Sequence, residues 1–97
     1  MAAIYIAQTQ ITDPVPFEKY RKEAAVTIAK YGGEYLVRGG AVEIMEGTWD
    51  PKRLVVVKFD SMERAKEWYN SPDYSKVRLL RRNAVHYNSV VAEGYQP

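Results

Sequence analysis

The stretch Tyr31–Gly47, YGGEYLVRGGAVEIMEG, decides how this chain folds. Its glycine pairs, Gly32-Gly33 and Gly39-Gly40, bracket a short apolar run that ends in one cation, Arg38. Glycine enters the φ > 0 region at little steric cost, so paired glycines mark places where a chain turns tightly. The first pair stops a helix. Glu34 to Arg38 then reads as a short strand, and Gly39-Gly40 as a turn or bulge. Ala41 to Glu46 reads as a continuation of that strand or its hairpin partner.

Toward the N-terminus, Ile4 to Ile11 is rich in the β-branched and aromatic residues that strands favour. Thr12-Asp13-Pro14 follows, with Asp13 suited to cap orphan N–H groups and Pro14 to the first helical turn. Phe17, Tyr20, Ala24, Ile28 and Tyr31 recur at steps of three or four and give one apolar helix face. Toward the C-terminus, GTWDPK (47–52) is a loop of turn residues and RLVVVKF (53–59) the clearest strand. Ser61 caps a second helix with Ala65, Trp68 and Tyr69 facing inward. Asn70-Ser71-Pro72-Asp73 interrupts it, because proline cannot donate the bond that a continuing helix needs. Ser71 as cap and Pro72 at the first position then start a new helix, where Tyr74, Val77 and Leu80 or Arg81 share a face. Val85 to Glu93 is the last strand.

This βαββαβ order predicts an α+β, ferredoxin-like domain spanning 1–97, with two helices on one face of a four-stranded antiparallel sheet. The other face bears on the assembly. Val55, Val57 and Phe59 lie on one side of their strand, yet Leu54 and Val56 lie on the other. Ile4 and Ile6 likewise oppose Tyr5, Ala7 and Ile11. Two apolar faces need two covers, and one chain's helices supply one. An open apolar patch of that size marks an interface, so a homodimer through the helix-free face is expected.

Composition narrows the function classes. At 46% hydrophobic and 27% charged the chain has the makings of a packed core. Formal charge of +2 argues against a nucleic-acid partner. No cysteine is present and His86 is the only histidine, so neither disulfides nor a metal site built from such ligands is expected. The start AAIYIAQTQI has no basic n-region or cleavage site and is too short to span a bilayer. The expectation is a cytoplasmic protein with no membrane partner.

With YGGEYLVRGG, EIMEGTW, RLVVVKF, AKEWYNSPDY and Arg81 in this order, the chain resembles domain-of-unknown-function family 1330 over about residues 2 to 94. That family is similar to the wider dimeric α+β barrel superfamily, in which two ferredoxin-like sheets pack face to face. The resemblance implies a homodimeric barrel. It implies no activity, since the superfamily holds cofactor-independent monooxygenases, lactone isomerases, haem-degrading enzymes and sensor domains. No catalytic residue of these transfers to this chain by motif.

Five residues suggest a ligand site, and each has a structural use as well. Arg38 has the planar fork that suits a carboxylate or phosphate, and Gly39 beside it leaves the backbone bare. Its commoner use is an ion pair with Glu43, Glu46 or a carboxylate across the dimer. Asn70, Ser71, Asp73 and Tyr74 cluster where a helix begins, so Ser71 and Tyr74 could form a polar wall or simply complete a cap. Trp68, with Trp49 and eight tyrosines, can hold a flat ligand or fill the core. Histidine is the usual side chain for proton transfer, which makes His86 the candidate, with a packed strand residue as the plainer reading. Lys76, Arg78, Arg81 and Arg82 complement a helix dipole.

The function expected is a homodimer that binds a small acidic, partly apolar metabolite without a cofactor. The alternatives are a cofactor-independent enzyme of monooxygenase or isomerase type in the same pocket, and a structural or regulatory dimer with no ligand.

Overall fold

The computed structural model describes all 97 residues. Strands β1 (Ala3–Ile11), β2 (Glu34–Arg38), β3 (Arg53–Phe59) and β4 (Val85–Glu93) form one antiparallel sheet in the order β2-β3-β1-β4. Helices α1 (Pro14–Lys30), α2 (Met62–Tyr69) and α3 (Pro72–Arg78) cover one face, and a 3₁₀ turn at Leu79–Arg81 leads into β4. The ferredoxin-like α+β expectation holds, with its second helix broken in two at Asn70-Ser71.

Local chemistry sets each boundary. Asp13 accepts from Val15 N–H and Pro14 opens α1. Gly32, at φ 79°, closes it, while Gly33 N–H reaches the Ile28 carbonyl at 2.8 Å. Gly33 admits no side chain, because a Cβ there would stand 2.5 Å from Ile28 Cγ2. Ser61 and Ser71 cap α2 and α3 through Arg64 N–H and Tyr74 N–H.

Ala41 to Glu46 is not a strand. Gly39 N–H bonds the Leu54 carbonyl at 2.9 Å, and its left-handed φ of 74° then turns the chain out of the sheet. Residues 39–52 form no helix or strand, and the hairpin partner of β2 is β3.

Register separates the two faces. Ala3, Tyr5, Ala7 and Thr9 of β1 oppose Phe59, Val57, Val55 and Arg53 of β3 on the helix side. Ile4, Ile6 and Gln8 oppose Lys58, Val56 and Leu54 on the open side. The helix side carries the core, where Trp68, Tyr74, Phe59 and Val57 are fully buried. Trp68 also donates its indole N–H to Thr27 Oγ1 at 3.0 Å, so its one polar atom is satisfied. The molecule is a slab 38 × 38 × 16 Å, too thin for a second cover on the open side. Ile4, Ile6, Leu54 and Val56 are half-exposed there, and Val90 is 61% exposed.

Candidate functional site

A narrow cleft lies between α1 and the β2–β3 half of the sheet. Phe17, Tyr20, Tyr35, Trp68 and Tyr87 give it an aromatic lining, and Arg21, Arg38 and Arg53 reach into it. Its interior has about 30 Å³ of free volume, enough for one or two waters. A shallower depression of about 270 Å³ adjoins it, bordered by the same three arginines with Phe17, Glu18 and Gly39.

A β-bulge aims Arg38. Tyr35 pairs with Val57, but Val37 pairs with Val56, so two steps along β2 match one step along β3. Leu36 is the extra residue. In a regular ladder Arg38 would oppose Leu54 on the open face, because a one-residue slip moves a side chain to the other side. The bulge sets it opposite Val55, on the helix side. Arg53 needs no such device, since it alternates with Val55, Val57 and Phe59. A Cβ on Gly39 would stand 2.7 Å from Arg53 Nε, so the bare backbone there makes room for Arg53 itself.

The cations are unequally neutralised. Arg21 is paired with Glu18 at 2.6 Å. Arg38 and Arg53 have no carboxylate within 4.0 Å, including Glu43 and Glu46. Both lie over rings instead: Arg38 Cζ is 4.9 Å from the Tyr35 centroid and Arg53 Cζ 5.3 Å from that of Phe17. Burial, followed by the charges of Arg21 and Arg38, holds the pKa of Arg53 below the ordinary arginine value. Positive charge gathered here lacks its counter-ion.

Behind the arginines stand paired hydroxyls. Tyr5 and Tyr87 share a hydrogen bond of 3.0 Å, and Tyr20 and Tyr74 share one of 2.6 Å. Burial pushes the hydroxyls of Tyr5, Tyr20 and Tyr87 above the ordinary phenol range, so they act as neutral donors and acceptors. Arg81 lies over the Tyr87 ring, 3.7 Å from its centroid, and its Nε has no partner.

Of the residues singled out in the sequence, Arg38 and Trp68 line the cleft and Gly39 borders its mouth. Ser71 and Tyr74 do not face it. Ser71 is occupied in capping, donating to the Trp68 carbonyl and accepting from Tyr74 N–H. Tyr74 is fully buried behind Tyr20. Asp73 instead pairs with Lys30, tying α3 to α1. His86 is on the open face, in a polar hollow with Gln8, Gln10 and Asn88, and contributes nothing to the cleft. Sequence reading passed over Arg53 as a site residue. Its alternation with three residues of the buried face was the available signal.

A family model described as "Domain of unknown function (DUF1330)" matches residues 2–95. No curated protein matches the sequence. Among solved structures, a protein of unknown function from Rhodopseudomonas palustris superposes with a TM-score of 0.79 at 12% identity, over 99% of this chain and 84% of that one. SnoaB, a cofactor-independent oxygenase from Streptomyces nogalater, gives 0.68 at 11% identity over 99% and 95%. A dimeric protein of unknown function and ferredoxin-like fold from Bacteroides fragilis gives 0.64 at 14% over 96% and 96%. At such identities the likeness is one of fold.

Proposed function

The chain belongs to the family described as domain of unknown function DUF1330, and from that premise we propose that it binds a small organic anion with an apolar body in the cleft between α1 and the sheet. The observation that carries this reading is the pair Arg38 and Arg53. Two guanidiniums without carboxylate partners stand over aromatic rings at the entrance to an aromatic cleft. A carboxylate there would neutralise the cluster and gain charge-assisted hydrogen bonds, each worth about 1.5–3 kcal/mol. The apolar body would lie among Phe17, Tyr20 and Tyr35. With room for only a water or two inside, binding requires the cleft to widen, and the adjoining depression is where a ligand first seats.

Binding is favoured over acid–base catalysis by the lining. It contains no carboxylate and no imidazole, and its buried tyrosines hold their protons.

The same proposal includes a homodimer. The open face offers Ile4, Ile6, Leu54, Val56 and Val90, and one copy sets no second layer over them, only Trp49 of the 39–52 loop beside Ile6, Leu54 and Val90. The Bacteroides fragilis protein with this fold is itself dimeric, which supports the reading.

A thermal-shift screen with aromatic and aliphatic carboxylates tests the site, because a ligand of the native state raises stability by mass action. Arg38→Met keeps length and removes charge. It should fold normally and weaken binding about 10- to 100-fold. No shift with any carboxylate, or an undiminished shift in Arg38→Met, would overturn the proposal.

A further inference from the structure

The break at Asn70-Ser71-Pro72 has a second effect. It turns α3 toward α1, where the Lys30–Asp73 pair holds it, and so leaves the other flank of α2 without a helix neighbour. β4 runs beneath that flank as a sheet edge. Between them lies a groove of about 300 Å³, ten times the free volume of the cleft, and in the range of small-ligand sites. Tyr5 is the only residue that borders both, and its ring is the partition. That ring stands edge-on to Trp68, centroids 5.0 Å apart at 77°, and its hydroxyl is tied to Tyr87.

The chemistry of this groove is its own. Tyr5, Tyr69 and Val91 give apolar walls, while Lys66, Asn70 and Ser89 bring polar groups to its rim. Lys66 enters no ion pair, and the Asn70 side chain takes part in none of the protein's hydrogen bonds. Arg78 lies over the Tyr69 ring, its Cζ 4.6 Å from the centroid. One free ammonium beside an amide and a hydroxyl matches one carboxylate. Flat walls match a flat body.

We propose that the groove between α2 and β4 is a second binding site, for a small monocarboxylate with a flat apolar body. It does not depend on the arginine cleft. Benzoate is the probe, titrated into the full chain and followed residue by residue through amide NMR shifts. Saturable shifts at Lys66, Asn70 and Ser89 are expected. Lys66→Met, a change at an exposed position, should weaken them about tenfold and leave any shifts at Arg38 and Gly39 as they are, and Lys66→Arg should restore them. Arg38→Met should leave the Lys66, Asn70 and Ser89 response intact. Shifts confined to Arg38 and Arg53 would overturn the second site while sparing the first. Lys66, Asn70 and Ser89 responses that ignore Lys66→Met would overturn it too. Silence at both places would overturn the second site and leave the first to the wider carboxylate screen.

Discussion

The two faces of the sheet come from the same four strands and have opposite characters. On the helix side, β1 and β3 present Tyr5, Ala7, Thr9, Val55, Val57 and Phe59, packed under Trp68 and sealed except where Arg21, Arg38 and Arg53 enter. On the open side the same strands present Ile4, Ile6, Leu54 and Val56, aliphatic and half-exposed. Aromatic residues fill one face, where packing must be exact and hydroxyls must find partners. Branched aliphatics, with Gln8 and Lys58 among them, line the other, which suits the flat contact proposed with a second copy. Alternate residues of each strand thus serve the core and its proposed cleft on one side and the proposed interface on the other.

The largest effect should come from the sealed face. Trp68→Ala removes a fully buried ring and the hydrogen bond that its indole donates to Thr27 Oγ1, and should cost about 3–5 kcal/mol in a denaturant titration. A loss below 1 kcal/mol would break the comparison, for it would mean that the aromatic side carries little of the fold.

Val56→Asp addresses the open face. A carboxylate left unpaired in a buried interface is costly. The variant should keep its circular dichroism and elute at the mass of one chain, and the wild type should scatter light as two. A wild-type mass of one chain would leave the open face without its proposed role.

Alkali sharpens the contrast further. Tyr5, Tyr20 and Tyr87 have their pKa values raised in the folded state, burial being the leading cause in each. An unfolded tyrosine ionises near pH 10. Below that pH both states keep the proton and stability is level. Above it the unfolded chain releases protons that the folded chain retains, so stability falls as pH rises. Phenolate absorbance should therefore climb in two stages, exposed tyrosines first and the buried ones together with unfolding. Full ionisation while the fold persists would contradict the sealed character of that side.

The smallest effect belongs to His86. It is exposed on the open face and outside the cleft, so His86→Asn should change stability by less than about 0.5 kcal/mol and leave carboxylate binding unchanged. A variant that loses the carboxylate-induced thermal shift would move the functional centre to the other side of the sheet.

Much of this was legible in the sequence, and for local reasons. Asp13-Pro14, Ser61 and Ser71-Pro72 announce helix starts because caps and prolines act within one turn, and the alternation in RLVVVKF sorts side chains because strands have period two. The candidate site was legible in part. Arg38 stood out beside its glycines, whereas Ser71 and Tyr74 read equally well as wall or cap, and the choice depended on where α3 packs. Arg81 gave no local sign that it would insert over Tyr87, since a basic residue near a helix end is ordinary. Residues 39–52 misled because Ala41 to Glu46 is apolar enough for a strand, while one left-handed glycine upstream directs it out of the sheet.

Leu36 gives β2 one residue of slack. Its neighbours keep their places on either side of it: Tyr35 and Arg38 both face the cleft although three positions separate them. Shortening the chain by that residue would straighten the strand and leave both side chains where they are. Flattening the strand at full length would carry Arg38 to the outside and Val37 into the cleft. The bulge therefore keeps a cation of the cleft from becoming a charge within the open apolar face.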